Sequence, residues 1–177
     1  MGYPSGNALY PNWKVTAWQE LSSFKSLDQP GANGVYCVLM QIQAPNPNIS
    51  YTYSNAHTFY TDLTAPNGLP VGSQPLAIFN VGGSPNPGAL QQQITTPTLN
   101  IVGAAPVFDG DDVTFLQVTS IFAGFNQVGA LVLFRMNAGA SNTWRLVYYC
   151  DTGAGFPVIP NGGNVTIQWN AGGIFTI

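Results

Sequence analysis

The chain has 177 residues, of which 45% are hydrophobic and only 6% charged, with a formal net charge of −3. That length suits one domain with a core of its own, since domains run to roughly 100–200 residues. Lys14, Lys25, Arg135 and Arg145 are the basic residues, too few and too scattered to neutralise phosphates or hold an anionic bilayer, which excludes nucleic acid and membrane surfaces as expected partners.

Residues 1–29 differ in character from the rest of the chain. They open without the basic and apolar regions of a secretory signal, so none is expected. They carry Trp13, Trp18, Phe24, both lysines and the only glutamate, Glu20. Ala17, Trp18, Leu21 and Phe24 recur at helical spacing, and Asp28-Gln29-Pro30-Gly31 ends the run. A short helix fits, and so does an extended arm laid on another surface, because Ser22 and Ser23 weaken the helix.

From Gly34 onward the pattern is β. Residues 35–43 (VYCVLMQIQ) are rich in β-formers and stop before Pro45 and Pro47, which cannot continue a ladder. Residues 50–54 and 57–63 read as a strand pair about Asn55-Ala56. After a Pro/Gly loop come 76–81, and then the weaker strands 90–94 and 98–102. The runs 113–121, 130–136 and 144–150 are strong, and 165–169 and 174–177 flank the turn Asn170-Ala171-Gly172-Gly173 as a hairpin. The uncharged run between Asp112 and Arg135 is long enough to raise a membrane helix. Thr114, Gln117, Ser120 and Asn126 interrupt it, and two strands about a turn describe it better.

Short strands with turn residues every ~8–12 positions predict an all-β chain, an antiparallel β-sandwich of jelly-roll type. There is no βαβ alternation to suggest a parallel sheet. The expected organisation is an N-terminal arm or short helix over 1–29 and a single sandwich domain over 30–177.

Residues that could carry chemistry are few. His57 is the single histidine, and neither Ser84 nor Ser141 lies in a nucleophile elbow that would complete a triad with it. His57, Cys37 and Cys150 lack the close ligand spacing of a zinc site. Cys37 and Cys150 each sit in an apolar run and are expected as reduced core thiols. Asp109, Asp111 and Asp112 form the one acidic cluster, readable as a turn ahead of a strand or as a site for a hard cation. Glu20, Asp28, Asp62 and Asp151 show no pairing of the kind glycoside hydrolysis uses. The expectation is no enzyme, no cofactor, and no catalytic, cofactor-binding or metal residue.

Aromatics make up 12% of the chain. Tyr51, Tyr53, Phe59 and Tyr60 form one group and Trp144, Tyr148 and Tyr149 another, as sheet packing, sugar platforms or interface anchors. The missing charge bears more directly on function. A folded surface of roughly 8,000 Å² with so few charges would let almost any face be buried with little charge desolvated, since an interface takes about 800 Å² from each partner.

The segments 129–134 (GALVLF), 144–149 (WRLVYY), 156–163 (FPVIPNGG) and 165–169 (VTIQW) resemble the C-terminal ends of small all-β structural proteins of tailed bacteriophages: capsid decoration (cement), head-fibre or tail-associated parts. The resemblance covers the C-terminal third and carries no binding residue with it. It implies a virion structural subunit, assembled in the host cytoplasm, that stabilises a shell through contacts with other virion proteins, the major capsid protein or copies of itself. The alternative is a receptor- or glycan-binding β domain of a tail or fibre. On either reading the uncharged stretch 165–177 has to be paired or buried, because an apolar edge without Lys, Glu or Pro aggregates.

Overall fold

The computed structural model describes residues 7–14, 27, 34–41, 53–63, 80–81, 91–102, 105–119, 127–152 and 155–176. These are mostly strand with little helix, and the strands pair antiparallel. In chain order the strands are β1 (Ala8–Leu9), β2 (Val35–Gln41), β3 (Asn80–Val81), β4 (Gln91–Gln93), β5 (Thr98–Val102), β6 (Ala105–Asp109), β7 (Val113–Phe115), β8 (Val118–Thr119), β9 (Val128–Arg135), β10 (Arg145–Cys150), β11 (Val165–Ile167) and β12 (Phe175–Thr176). The largest sheet has the order β1-β10-β9-β2-β4, beside a three-stranded sheet β12-β6-β5 and the pairs β11-β7 and β3-β8.

β9 is the centre of the large sheet, and its sequence explains its place. VGALVLFR has no polar alternation, so only a strand covered on both faces accommodates it, and Val128 to Phe134 are all buried. Residues paired across a ladder share a face. Tyr36, Val132, Phe134 and Tyr149 therefore lie on one side, and Cys37, Leu39, Leu131, Leu133 and Tyr148 on the other. Aromatic rings cover the first side. Tyr60 lies 4.6 Å and Trp144 5.8 Å from Phe134, and Tyr53 lies between Tyr10 and Tyr149 at 5.1 and 5.0 Å. The second side meets the smaller sheets, with Tyr148 stacked on Phe175 at 5.0 Å. Phe108, Val113, Phe115 and Val118 join the same buried cluster.

Residues 7–14 of the N-terminal segment belong to this fold. β1 pairs with β10, Pro11 takes the first position of a helical turn over 11–14, where its missing N–H costs nothing, and Tyr10 and Trp13 are buried in the core. The outer edge of β10 is thus covered, by β1 at Tyr148 and Tyr149 and by residues 58–60 at 144–146. Of the expected helix or arm, residues 1–6, 15–26 and 28–29 lie outside the described residues, as do 42–43, 50–52, 76–79, 90, 120–121 and 177 of the expected strands.

Several expected strands differ. In 57–63, only Phe59 bridges to Arg145, and Tyr60–Leu63 is a 3₁₀ turn. The Asp62 carboxylate accepts the N–H groups of Thr58 and Phe59 at 2.7 and 2.8 Å and draws the chain round. The run 113–121 breaks between β7 and β8, where Gln117 adopts a φ of +50° and its N–H donates to Asn164 Oδ1 at 3.1 Å. The C-terminal hairpin does not form. Its two halves part at the Gly172-Gly173 turn: β11 pairs with β7, and β12 with β6. The stretch is therefore paired within its own chain, as its lack of charge requires.

Candidate functional site

Two features of the described structure stand apart from routine packing: a neutral cleft and an open strand edge. The cleft, about 580 Å³, lies between β10 and the β11–β12 segment, with Tyr148, Cys150, Phe156 and Trp169 among its walls together with the side-chain amides of Asn7 and Gln168. Trp169 is held at both ends. Its backbone N–H donates to Asp112 Oδ1 at 2.9 Å, and its indole Nε1–H to the Asp111 carbonyl at 2.9 Å.

That pair of bonds ties two members of the acidic cluster, Asp111 and Asp112, to Trp169. Asp111 Oδ2 also accepts the hydroxyls of Thr95 and Thr96 at 3.1 and 2.6 Å, so these carboxylates fasten the 109–112 turn to its neighbours and to Trp169. Among the described residues, no group of three or more His, Cys, Asp or Glu side chains is arranged to hold a metal ion.

The other candidate groups are dispersed. His57 is half-buried, and burial lowers its pKa while the nearby Asp62 raises it. Asp62 is occupied by two backbone N–H groups, and Asp151 accepts the Tyr149 hydroxyl at 3.2 Å. Neither Cys37 nor Cys150 is bridged. They lie on opposite neighbours of β9, about 10 Å apart by strand spacing, beyond the ~7 Å Cα separation a disulfide spans. Burial raises the Cys37 pKa, so that thiol stays protonated and donates toward the Gln92 carbonyl at 3.5 Å. Glu20, Asp28 and Tyr51 lie outside the described residues.

Charge is absent from the cleft as well. No charged side chain lines it among the described residues. The Tyr148 phenol, with its pKa pushed up to about 12 by burial and then by Cys150, against a bond with Asn7, stays neutral. Such a wall can stack on a ligand and hydrogen-bond to it. The aromatic groups read from the sequence are mostly internal, since Tyr53, Tyr60, Trp144, Tyr148 and Tyr149 pack on one another or on Phe134 and Phe175.

The open edge is β5. Among the described residues it is the outer strand of its sheet, and all five of its residues are exposed, with Ile101 at 78% and Val102 at 58%. Thr98-Leu99-Asn100-Ile101-Val102 contains no charge and no proline, the residues by which natural edges are usually blunted. The sequence predicts a strand here and gives no sign that it is an edge. No family model matches the chain, and neither a curated protein nor a solved structure matches it.

Proposed function

We propose that the chain is a non-enzymatic structural subunit that works by packing against protein neighbours, in the manner of a capsid decoration or cement protein on the surface of a virion. The observation that carries this reading is β5, an exposed, uncharged five-residue edge on a protein with 6% charged residues. A protein that diffuses as a monomer keeps charge at such places, whereas an assembly subunit buries them. The virion setting rests on the sequence resemblance of the C-terminal third. The expected neighbours are the major capsid protein and further copies of this chain, and the place of assembly is the host cytoplasm.

The architecture we propose with it is a two-layer β-sandwich of jelly-roll type. The large sheet would form one layer and β12-β6-β5, β11-β7 and β3-β8 the other, supported by the Tyr148–Phe175 stack and by the single buried cluster drawing on both.

The cleft favours a second reading, a glycan-binding β domain. Aromatic faces beside side-chain amides, without charge, suit a neutral sugar. The solution mass by light scattering over a concentration series is the first test of the two. A defined trimer or other closed oligomer upholds the structural subunit. A strict monomer at every concentration removes self-assembly and leaves a cement subunit that needs the capsid lattice or a glycan-binding domain, which a neutral-glycan array then separates.

A further inference from the structure

We infer that β5 is a self-pairing strand: two copies of this chain join their β5 edges antiparallel about a two-fold axis through Asn100, turning each three-stranded sheet into half of a continuous six-stranded one. This rests on the assembly reading above and names its partner and register.

The hydrogen bonds already made inside the sheet fix which backbone groups point outward. The N–H of Ile174 donates to the Phe108 carbonyl at 2.8 Å, so Phe108 turns its backbone groups toward β12 and away from β5. Phe108 stands opposite Leu99, and Pro106 opposite Ile101. Both are therefore non-hydrogen-bonded pairs, which is why a proline is tolerated there. Leu99 and Ile101 in turn direct their N–H and C=O groups to the open edge.

A two-fold axis at Asn100 sets Leu99 against Ile101 of the second copy, and Ile101 against its Leu99. These are the outward-facing residues, so each pair exchanges both of its N–H···O=C bonds. Thr98 meets Val102, and the two Asn100 residues meet each other at the close, non-hydrogen-bonded spacing where their amides can pair. Axes at Leu99 or Ile101 also keep the outward groups facing but leave part of the strand unmatched. A two-fold contact sets the same strand against itself, with only the axial Asn100 facing its own copy, and a strand with no charge brings no like charges together there. Leu99 and Ile101 lie on the same face as the buried Phe108, so pairing extends the covered face of the sheet over side chains now exposed at 36% and 78%. A five-residue edge buries less than the ~800 Å² per partner of a standard interface, which predicts a weak dimer that fills at the high local concentration of an assembly.

The test is sedimentation velocity on the full chain in about 0.15 M salt, up to about 1 mM, with Asn100→Lys, Asn100→Asp and Ile101→Pro. Asn100→Lys sets two lysines face to face and should raise the dimer Kd on the order of tenfold. Asn100→Asp should do the same, and an equimolar mixture of the two should restore association. Ile101→Pro removes only an outward N–H and should abolish pairing with the thermal midpoint of the monomer retained. Wild-type association that survives Asn100→Lys and Ile101→Pro unchanged overturns the β5 pairing and leaves the assembly reading standing. A wild type that stays monomeric throughout overturns the β5 pairing and leaves only an assembly reading in which the chain packs on other proteins.

Discussion

Cys37 and Cys150 face the same central strand from opposite sides, yet their chemistry diverges with depth. Cys37 is fully buried with a raised pKa and a carbonyl to donate to, so its thiolate does not form and no reagent reaches it; Cys150 is half-buried at the wall of the cleft. A thiol-reactive disulfide reagent should therefore modify Cys150 in the native protein and Cys37 only after denaturation. Modification of both at the same rate would mean that β2 opens. His57 follows a different rule. Burial is the larger influence and holds its pKa below the unfolded value near 6.5, so the folded protein binds fewer protons in that window. Stability is whole above about pH 6.5 and declines as pH falls toward the folded-state value. His57→Gln should flatten that decline in urea midpoints taken between about pH 7.5 and 5. The tightest backbone position is Gly173, at a φ of +101°, where a Cβ would run into Val107 Cγ1. Gly173→Ala should cost about 1–3 kcal/mol in urea unfolding, because alanine is strained at that φ and its Cβ must displace the Val107 side chain.

At the scale of elements, the 109–112 turn shows what an acidic cluster does when its carboxylates have structural partners. Asp112→Ala removes the acceptor of the Trp169 N–H and should cost about 0.5–1.5 kcal/mol with a shift in tryptophan emission. Adding or chelating Ca²⁺ should leave the wild-type melting temperature where it was; a rise of several degrees with Ca²⁺ would restore the cation-site reading. The sequence made the strong strands legible, and physics says why. β2, β9 and β10 owe their state to long apolar runs that only a covered sheet can hold, so their identity survives any choice of neighbour. The segment 57–63 looked equally β-like, but the fate of its N–H groups depended on Asp62, one side chain whose reach no period records. β6 was hidden by Pro106, acceptable only because the residue opposite it is not hydrogen-bonded. The pairing of β11 with β7 and β12 with β6 is a long-range outcome that the local hairpin pattern does not encode. Of the cleft and the edge, the residues were visible in the sequence; their convergence was not.

At the scale of the whole molecule, ionic forces have little charge to work with. Seven acidic and four basic residues leave most of the surface to amides, hydroxyls and apolar groups, and the exposed large hydrophobics Leu99, Ile101, Val102, Leu116 and Ile159 bear none. Contacts built from such groups depend on area and backbone hydrogen bonds, which salt does not screen, whereas pairs of surface charges weaken as the Debye length drops from ~10 Å at 0.1 M to ~3 Å at 1 M. Self-association should therefore hold steady between about 0.05 and 0.5 M sodium chloride and strengthen in sulfate, which favours burial. Light scattering at fixed protein concentration across both salts checks this. Association lost at moderate sodium chloride would assign the contact to the few charged residues and away from β5. A steady or rising mass keeps the interface among uncharged surfaces, where five adjacent exposed residues of one open strand offer the largest uninterrupted stretch of unused backbone pairing in the described structure.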